Sequence, residues 1–383
     1  MLNADPMIQM VDLKGQYLKI KNEVDAALQA VIDGTSFIGG KAVADFMQHL
    51  SSYMEGCPSV TCGNGTDALQ IALMALGLKP GDEVIVPAFT YVASAEVIGL
   101  LGLTPVMVDV DSRTFNVTVE NIKKGISPRT KAVIPVHLFG QSCDMGPILQ
   151  LAEEHHLFVI EDNAQAIGAE YIFADGRRMK TGTMGTVGCT SFFPSKNLGC
   201  YGDGGAMFTR DANLAERLRM IANHGQRVKY HHDVIGCNSR LDAMQAAVLD
   251  VKLPHLDEYC CARRAAAHYY TERFKAFDPE ERYLLTPVEL PQSTHVYHQY
   301  TLQVPDGRRD ALKEHLAAQG IPSMIYYPLP LQEQEAFRSI ARAAEPLTVA
   351  KQLAQSVLSL PMHTELDRAT QDKVVDAVIQ FFK

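Results

Sequence analysis

The chain has 383 residues, of which 47% are hydrophobic and 21% charged, and its formal net charge is −9. This composition is typical of a globular protein with ample material for a core, and the length suggests roughly two to three domains. The negative charge argues against a general nucleic-acid binder, and no apolar run approaches the ~20 residues of a membrane span.

The amino end and the cysteines both favour a cytoplasmic protein. Residues 1–10 lack the basic and apolar regions of a secretory signal. The eight cysteines are scattered and form no C-x-x-C pair, which favours reduced thiols over disulfides or a metal site. They are Cys57, Cys62, Cys143, Cys189, Cys200, Cys237, Cys260 and Cys261.

Short apolar runs alternate with helix-like segments between residues 60 and 210. The predicted strands are 83–86, 104–108, 131–136, 158–160, 188–193 and 205–209. The predicted helices between them are 66–76, 93–101 and 145–156. Continuous apolar strands separated by helices indicate an α/β domain whose mostly parallel sheet is covered on both faces.

The pattern becomes largely helical after residue 210. Helices are predicted at 213–223, 241–274, 308–319 and 371–382, and extended segments at 296–304 and 322–327. Asp211 and Asp242 are candidates for the N-caps of the first two helices. We therefore expect a large domain over 1–259 and a small α+β domain over 260–383.

A glycine-rich turn begins the first predicted helix. The segment 63–70 reads GNGTDALQ, and free backbone N–H groups at such a helix start form a natural phosphate seat. Thr66 adds a hydroxyl to this seat. An ordinary capped helix, with Thr66 or Asp67 near the cap, explains the same residues and is the simpler interpretation when they are taken alone.

Aromatic and polar side chains follow two of the predicted strands. Tyr91 or Phe89, after the strand 83–86, is a candidate to stack on a planar ligand, although such aromatics more often belong to a core. Asp162 follows the strand 158–160, at the sheet edge where open α/β sheets bind ligands. Gln165 is three residues further on. A helix cap or a metal ligand is the alternative role for Asp162.

A single lysine lies in the segment 191–205, which reads SFFPSKNLGCYGDGG. Lys196 follows an apolar run and precedes a glycine-rich turn, so we expect an enclosed amine. Desolvation lowers the pKa of a lysine and makes its amine a nucleophile for a Schiff base. We interpret Lys196 as the anchor of a pyridoxal 5′-phosphate (PLP) site, in which Asp162 keeps the pyridine nitrogen protonated. Ser191 could reach the phosphate.

Taken in chain order, these features resemble the DegT/DnrJ/StrS family of PLP-dependent sugar aminotransferases. The resemblance covers nearly the whole chain, and the lysine segment and the segment 236–247 are highly specific together. It implies the type I fold of PLP-dependent transferases, like that of aspartate aminotransferase. The matching segments read FIGG (37–40), GNGTDAL (63–69), EDNAQ (161–165), SFFPSK (191–196), GCNSRLDAMQAA (236–247), YPLPL (327–331) and SLPMH (359–363).

The resemblance implies which residues touch the cofactor ring. Lys196 forms the Schiff base and shuttles the proton, and Asp162 pairs with the pyridine nitrogen, so these two are the expected catalytic residues. Gln165 contacts the phenolic oxygen of the ring. Tyr91 stacks on its face.

The resemblance also implies how the phosphate is held. Gly65, Thr66 and Ser191 are the expected ligands from the same chain. Asn238 is expected to reach the phosphate of the neighbouring subunit. The implied active unit is therefore a homodimer with shared active sites, which is also the commonest type of oligomer.

Within the family, the segment 224–232 (HGQRVKYHH) most resembles enzymes that aminate 3-keto sugars. The implied substrate is UDP-2-acetamido-2-deoxy-3-oxo-glucuronate, with glutamate as amino donor, in the synthesis of bacterial surface-polysaccharide precursors such as the lipopolysaccharide O-antigen. Arg240 is the candidate for the uronic carboxylate. Tyr327 is the candidate to line the sugar pocket, although a simply packed tyrosine explains it nearly as well.

Two departures from the family pattern bear on these assignments. Tyr326 stands where many members have histidine, and Asn163 where alanine is common. The first alternative substrate is a dTDP-linked 3-keto-6-deoxyhexose. A non-catalytic PLP-binding sensor is the alternative from another class, and it would normally carry an added DNA-binding segment. A family dehydratase would replace Lys196 with histidine.

Overall fold

The computed structural model of the chain describes residues 8–383. Residues 1–7 lie outside the described residues, and they belong to the segment 1–10 in which we expect no secretory signal. The helices within this range are α1 (Leu13–Lys19), α2 (Lys21–Gly34), α3 (Gly40–Tyr53), α4 (Gly65–Leu76), α5 (Ala93–Leu100), α6 (Val119–Gly125), α7 (Met145–Glu154), α8 (Ala212–Ala222), α9 (Ala243–Lys252), α10 (Leu256–Phe277), α11 (Arg309–Ala318), α12 (Thr348–Ser356) and α13 (Arg368–Phe382).

The strands within the same range are β1 (Ser59–Cys62), β2 (Glu83–Pro87), β3 (Thr104–Val108), β4 (Thr130–Val133), β5 (Phe158–Asp162), β6 (Glu170–Ile172), β7 (Arg178–Lys180), β8 (Val187–Ser191), β9 (Gly205–Phe208), β10 (Gln226–Val228), β11 (His231–His232), β12 (Tyr300–Gln303), β13 (Arg342–Ala343) and β14 (Val357–Leu360).

An eight-stranded sheet forms the centre of the molecule, in the order β1-β9-β8-β5-β4-β2-β3-β13. Strand β9 is antiparallel to both β1 and β8, and the other neighbours are parallel. The central strands are buried almost throughout because helices cover both faces, which explains their continuous apolar sequences. The predicted α/β fold with a mostly parallel sheet is confirmed.

The strand boundaries differ from the predictions in a few places. The segment 131–136 forms a strand only as far as Val133, and the short strands β1 and β13 were not predicted. The segment 322–327 forms no strand and makes one bridge, between Met324 and Ser359. In the segment 296–304 only Tyr300–Gln303 is a strand, because the residues before it follow an irregular path.

The predicted helix over 241–274 is divided into α9 and α10 by a 3-10 turn at Leu253–His255. Pro254 lies in this turn, and a proline cannot donate the backbone hydrogen bond that a continuous helix needs. No helix in the described part of the chain is both long and apolar enough to cross a membrane.

A second hydrophobic core lies toward the carboxyl end. It is formed by α10, α11, α13 and the antiparallel pair β12–β14, with Tyr270, Phe274 and Tyr300 among its fully buried side chains. The predicted boundary between residues 259 and 260 falls inside α10. Leu256 and Cys260 belong to the core around α3 and α9, so one helix contributes to both cores. The division into two domains at this point stays a prediction.

Candidate active site

The carboxyl edge of the central sheet brings several of the predicted site residues together. Asp162 ends β5 and Ser191 ends β8, and these strands are parallel neighbours. The segment that follows β2 carries Tyr91 and leads into α5. Parallel strands present their carboxyl ends at one edge, which is the usual ligand-binding position of this sheet type.

The carboxylate of Asp162 is buried and held by two donors. Asp162 is 6% exposed, and its Oδ2 accepts a hydrogen bond from Ser94 Oγ at 2.8 Å. Its Oδ1 accepts from the backbone N–H of Ala164 at 3.1 Å. The backbone is also fixed, because Asp162 N donates to Pro135 O and His137 N donates to Asp162 O. The carboxylate therefore has a defined direction.

Lys196 lies in the turn after β8, where its backbone N–H donates to Phe193 O at 2.8 Å. The side chain is only partly exposed. Burial lowers the pKa of Lys196 to about 8, and the carboxylate of Asp162 acts in the opposite direction. An amine with this pKa is neutral in a substantial fraction of molecules at neutral to mildly alkaline pH, as a nucleophile must be.

The start of α4 forms the predicted phosphate seat. Asn64 is the N-cap: its Oδ1 accepts from Asp67 N at 2.8 Å, and its carbonyl accepts from Ala68 N. The cap is thus Asn64, and Thr66 and Asp67 lie in the first turn. This capping leaves the N–H groups of Gly65 and Thr66 as first-turn donors without helical partners.

Gly65 is required by close packing against Ser191. A Cβ at position 65 would lie 2.6 Å from Ser191 Cβ, and one at Gly205 would lie 2.4 Å from Asn64 O. The Ser191 hydroxyl oxygen accepts from Phe193 N at 3.2 Å, which leaves its O–H able to donate. The first turn of α4 and the Ser191 hydroxyl therefore lie side by side, and backbone N–H groups with a hydroxyl at a helix start suit a phosphate.

The segment 238–240 packs against this seat in the same chain. Ser239 Oγ accepts from Gly63 N at 2.8 Å and donates to Asp67 Oδ2 at 2.7 Å. Its neighbours Asn238 and Arg240 are exposed. Arg240 makes one long hydrogen bond, from Nη1 to Asn223 Oδ1 at 3.4 Å.

Gln165 and two tyrosines border the other side of the site. Gln165 Nε2 donates to the Tyr327 hydroxyl at 3.1 Å, and its Oε1 accepts from Phe139 N at 2.7 Å. The rings of Tyr91 and Tyr327 have centroids 6.1 Å apart at 42°. Tyr91 is 56% exposed, whereas Phe89 is buried against Phe115 and Tyr327. Tyr91 is thus the one of the two candidates with a ring face open to a ligand.

Sequence reasoning missed three groups that support the site. Ser94 holds Asp162, and Ser239 holds the phosphate seat. Glu161 is fully buried beside Asp162, and it accepts from the N–H groups of residues 182, 184 and 185 and from His137 Nε2. Of these three residues, only Glu161 gave a signal in the sequence, because a charged residue directly after the apolar run 158–160 is unusual.

The donor set as a whole fits PLP. It offers a lysine amine, a carboxylate within electrostatic reach of that amine, an open aromatic face and a phosphate seat. No cluster of three or more histidine, cysteine, aspartate or glutamate side chains that could hold a metal ion lies within residues 8–383.

A sequence model of the DegT/DnrJ/EryC1/StrS aminotransferase family matches residues 18–379. The chain belongs to this family. It is 47% identical to a UDP-N-acetyl-3-dehydro-α-D-glucosamine 3-aminotransferase of Acidithiobacillus ferrooxidans, with 95% of each chain covered. It is 44% identical to the UDP-2-acetamido-2-deoxy-3-oxo-D-glucuronate aminotransferase of Pseudomonas aeruginosa, covering 95% of this chain and 97% of that one. A dTDP-3-amino-3,4,6-trideoxy-α-D-glucose transaminase of Streptomyces venezuelae is 41% identical, with 97% and 96% covered.

Solved structures of family members have the same fold. The S. venezuelae enzyme DesV, solved in complex with a ketimine intermediate, superimposes with a TM-score of 0.92 at 40% identity, covering 98% of this chain and 99% of that one. NtdA of Bacillus subtilis, solved with bound pyridoxamine phosphate, gives a TM-score of 0.87 at 27% identity, with 99% and 86% covered. The predictions of the PLP-dependent type I fold, the PLP cofactor and a sugar aminotransferase are confirmed.

Proposed function

We propose that this enzyme transfers an amino group from glutamate to C3 of a nucleotide-linked 3-keto sugar, with UDP-2-acetamido-2-deoxy-3-oxo-glucuronate as the preferred substrate. The observation that carries the proposal is the lowered pKa of Lys196 beside the fixed carboxylate of Asp162. The identity to two enzymes named for UDP-linked 3-oxo sugars, one of them the uronate, supports a UDP-linked 3-oxo sugar as the substrate class. Their names also support a role in making precursors of surface polysaccharides.

Lys196 is the proposed proton carrier. When bound, PLP supplies an electron sink that stabilises negative charge on the carbon that loses its proton. The neutral Nζ of Lys196 would take this proton from the amino-acid carbon and deliver it to the C4′ carbon of the cofactor within the same half-reaction, and it would carry a proton from C4′ to C3 of the sugar in the second. A pKa of about 8 suits both taking up and releasing the proton, because neither the neutral nor the protonated amine is strongly favoured near neutral pH.

Asp162, Gln165 and Tyr91 are proposed to hold the cofactor ring. The buried carboxylate of Asp162 keeps the ring nitrogen protonated by charge pairing. The Gln165 amide donates one N–H to Tyr327, and its second N–H remains for the ring oxygen. The half-exposed ring of Tyr91 covers the ring face and excludes water from it.

The phosphate is proposed to bind the N–H groups of Gly65 and Thr66 and the hydroxyls of Thr66 and Ser191. The positive end of the α4 dipole adds to the attraction. Asn238 is exposed in the single chain, which fits the proposal that it completes the phosphate site of a second subunit. The proposed active unit is accordingly a homodimer.

Arg240 is the proposed specificity residue for the uronic acid. Its side chain is exposed, and its single long contact with Asn223 leaves most of the guanidinium available. A bidentate pair with a carboxylate is favourable and directional. Tyr327 is the proposed lining of the sugar pocket, because its ring lies against Tyr91 at the mouth of the site.

The direct test is a substrate panel with the purified holoenzyme and glutamate. The panel holds UDP-2-acetamido-2-deoxy-3-oxo-glucuronate, its uncharged 3-oxo-glucosamine counterpart, a dTDP-3-keto-6-deoxyhexose and a dTDP-4-keto-6-deoxyhexose, with the amine detected by mass spectrometry. We expect the uronate to have the highest kcat/KM, by about tenfold or more. Amination of the dTDP-3-keto sugar alone would establish the alternative substrate, and amination of the 4-keto sugar alone would refute the proposal.

Arg240→Ala separates the uronate from the neutral sugar. Losing a charge-assisted pair should lower kcat/KM for the uronate by about tenfold to a hundredfold and leave the neutral UDP sugar within about twofold. Arg219→Ala, which changes an exposed arginine on α8, is the matched control and should change neither value. Equal losses on both sugars in the Arg240 variant would remove the reason for preferring the uronate.

A further inference from the structure

Ser94 connects α5 to the carboxylate of Asp162 in the interior of the site. Its side chain is fully buried, with 0% exposure, and its Oγ lies 2.8 Å from Asp162 Oδ2. An ionised carboxylate can only accept, so the Ser94 hydroxyl is the donor. Thr90 Oγ1, also buried, lies 3.5 Å from Ser94 Oγ at the outer limit of a hydrogen bond.

We infer that Ser94 is a positioning residue for aminotransfer, whose hydroxyl keeps the carboxylate of Asp162 pointing at the nitrogen of the cofactor ring. The inference rests on the proposed role of Asp162 in the site. The two donors to Asp162 occupy different oxygens, Ser94 on Oδ2 and Ala164 N on Oδ1. Rotation of the carboxylate would break both bonds, so the pair of donors sets its direction.

The pairing of Asp162 with the ring nitrogen depends on the same hydroxyl. Without the Ser94 donor, Oδ2 would lose its hydrogen-bond partner, and the carboxylate would be free to turn away from the ring nitrogen. A ring nitrogen without a fixed charge partner holds its proton less well, and the ring would then be a weaker electron sink.

The position of Ser94 also links two parts of the site. Tyr91 lies three residues before Ser94, in the segment that leads into α5. Ser94 N donates to Tyr91 O, so the backbone between them is folded into one turn. The same turn therefore places the aromatic face and the donor to Asp162 at a fixed separation.

The experiment compares Ser94→Ala and Ser94→Thr in the holoenzyme loaded with PLP that carries ¹⁵N at the ring nitrogen. The ¹⁵N chemical shift reports protonation of that atom without turnover. We expect the protonated shift in the native protein and in Ser94→Thr, which keeps the hydroxyl, and a move toward the unprotonated shift in Ser94→Ala. We also expect kcat to fall about tenfold to a hundredfold in Ser94→Ala, with KM for the sugar unchanged.

Two further variants make the result specific. Ser142→Ala removes another fully buried serine, whose hydroxyl donates to Cys143 O at 2.7 Å, and should keep the native ¹⁵N shift. Asp162→Asn should lose the protonated shift. If it keeps that shift, the proposed role of Asp162 is wrong and the inference falls with it.

If Asp162→Asn loses the protonated shift while Ser94→Ala keeps both it and the native kcat, only the inference about Ser94 is overturned. If Ser142→Ala changed the ¹⁵N chemical shift as much as Ser94→Ala does, the effect at Ser94 would be one of general packing. That result would also overturn the inference. Alanine is well tolerated in helices, so a folded Ser94→Ala protein is expected. The comparison of Ser94→Ala with the native protein tests the inference about Ser94 even if Ser94→Thr does not fold.

Discussion

Two lysines, Lys196 and Lys252, share a lowered pKa but differ in what their amines contact. Burial lowers the pKa of each to about 8. Lys252 is 1% exposed, and its amine donates to Gly199 O at 2.6 Å, which fixes the turn after Lys196. Lys196 is only partly buried as a residue, and its amine interacts electrostatically with Asp162. A lowered pKa therefore identifies a reactive lysine only together with access for a substrate.

The pKa of Lys196 predicts how the cofactor-free protein captures PLP as the pH changes. Only the neutral amine reacts, so below pH 8 the rate should rise about tenfold for each pH unit. Above pH 8 the amine is already neutral, and the rate should level off. Stopped-flow absorbance of PLP mixed with the cofactor-free protein between pH 6 and 10 measures this profile.

Lys196→Arg is the control for this profile, because a guanidinium cannot be deprotonated in this range. It should show no covalent capture at any pH and no turnover. A rate that keeps rising to pH 10, as for an exposed lysine, would contradict the burial effect.

For single residues, the sequence was sufficient to identify a candidate where its immediate neighbours in the chain make it unusual. Lys196 stands out because apolar residues precede it and glycines follow, and Asp162 because it ends an apolar strand. Ser94 and Ser239 gave no such signal, since their roles depend on contacts 68 and 176 residues away in the chain. Such contacts exist only once the sheet has formed. The roles of the predicted site residues stay predictions.

The start of α4 allows a test at the scale of an element. Asn64→Ala removes the N-cap of this 12-residue helix and should lower the free energy of unfolding by about 1 kcal/mol. The N–H groups of the first turn would also be less well ordered, so the dissociation constant for PLP should rise about threefold. Chemical denaturation and fluorescence titration measure the two effects.

Asp211→Ala is the matched control, because Asp211 caps α8 by accepting from Asn213 N and Leu214 N. It should cause a similar loss of stability without changing the affinity for PLP. Equal weakening of PLP binding in both variants would show that the start of α4 has no special role.

The elements that the sequence predicted well are those buried on both faces. The strands β2, β3, β5 and β8 have mostly apolar sequences, and each was predicted to within two residues at either end. The alternating segment 296–304 misled the prediction, because its residues are buried without pairing regularly: Val296 N donates to Gly140 O, and Gln299 N donates to Phe139 O. The strand β13 has only two residues and no apolar pattern, so periodicity could not reveal it.

For the whole molecule, the proposed sharing of sites predicts complementation between two inactive variants. Lys196→Ala lacks the amine, and Asn238→Ala lacks the proposed contact to the phosphate of the neighbour. A mixed dimer would contain one site with both native residues. After mixing and reassociation, about a quarter of native activity should return, because half of the dimers are mixed and each has one intact site.

Assays of the separate and the mixed proteins, with the oligomer checked by analytical ultracentrifugation, measure this recovery. If Asn238 serves its own subunit, every site in the mixed dimer lacks one residue and no activity returns. A native protein that sediments as an active monomer would contradict the shared-site proposal directly.

The continuity of α10 has a mechanical consequence. This helix joins the core that contains Tyr270 to the turn that carries the reactive amine, because Asn197 Nδ2 lies 3.9 Å from Cys260 Sγ and donates to Val296 O at 3.0 Å. This helix of 22 residues contains no proline or glycine at which it would kink sharply. We therefore expect any tilt of the carboxyl-terminal core on sugar binding to be passed along α10, like the movement of a lever, to the residue that follows Lys196.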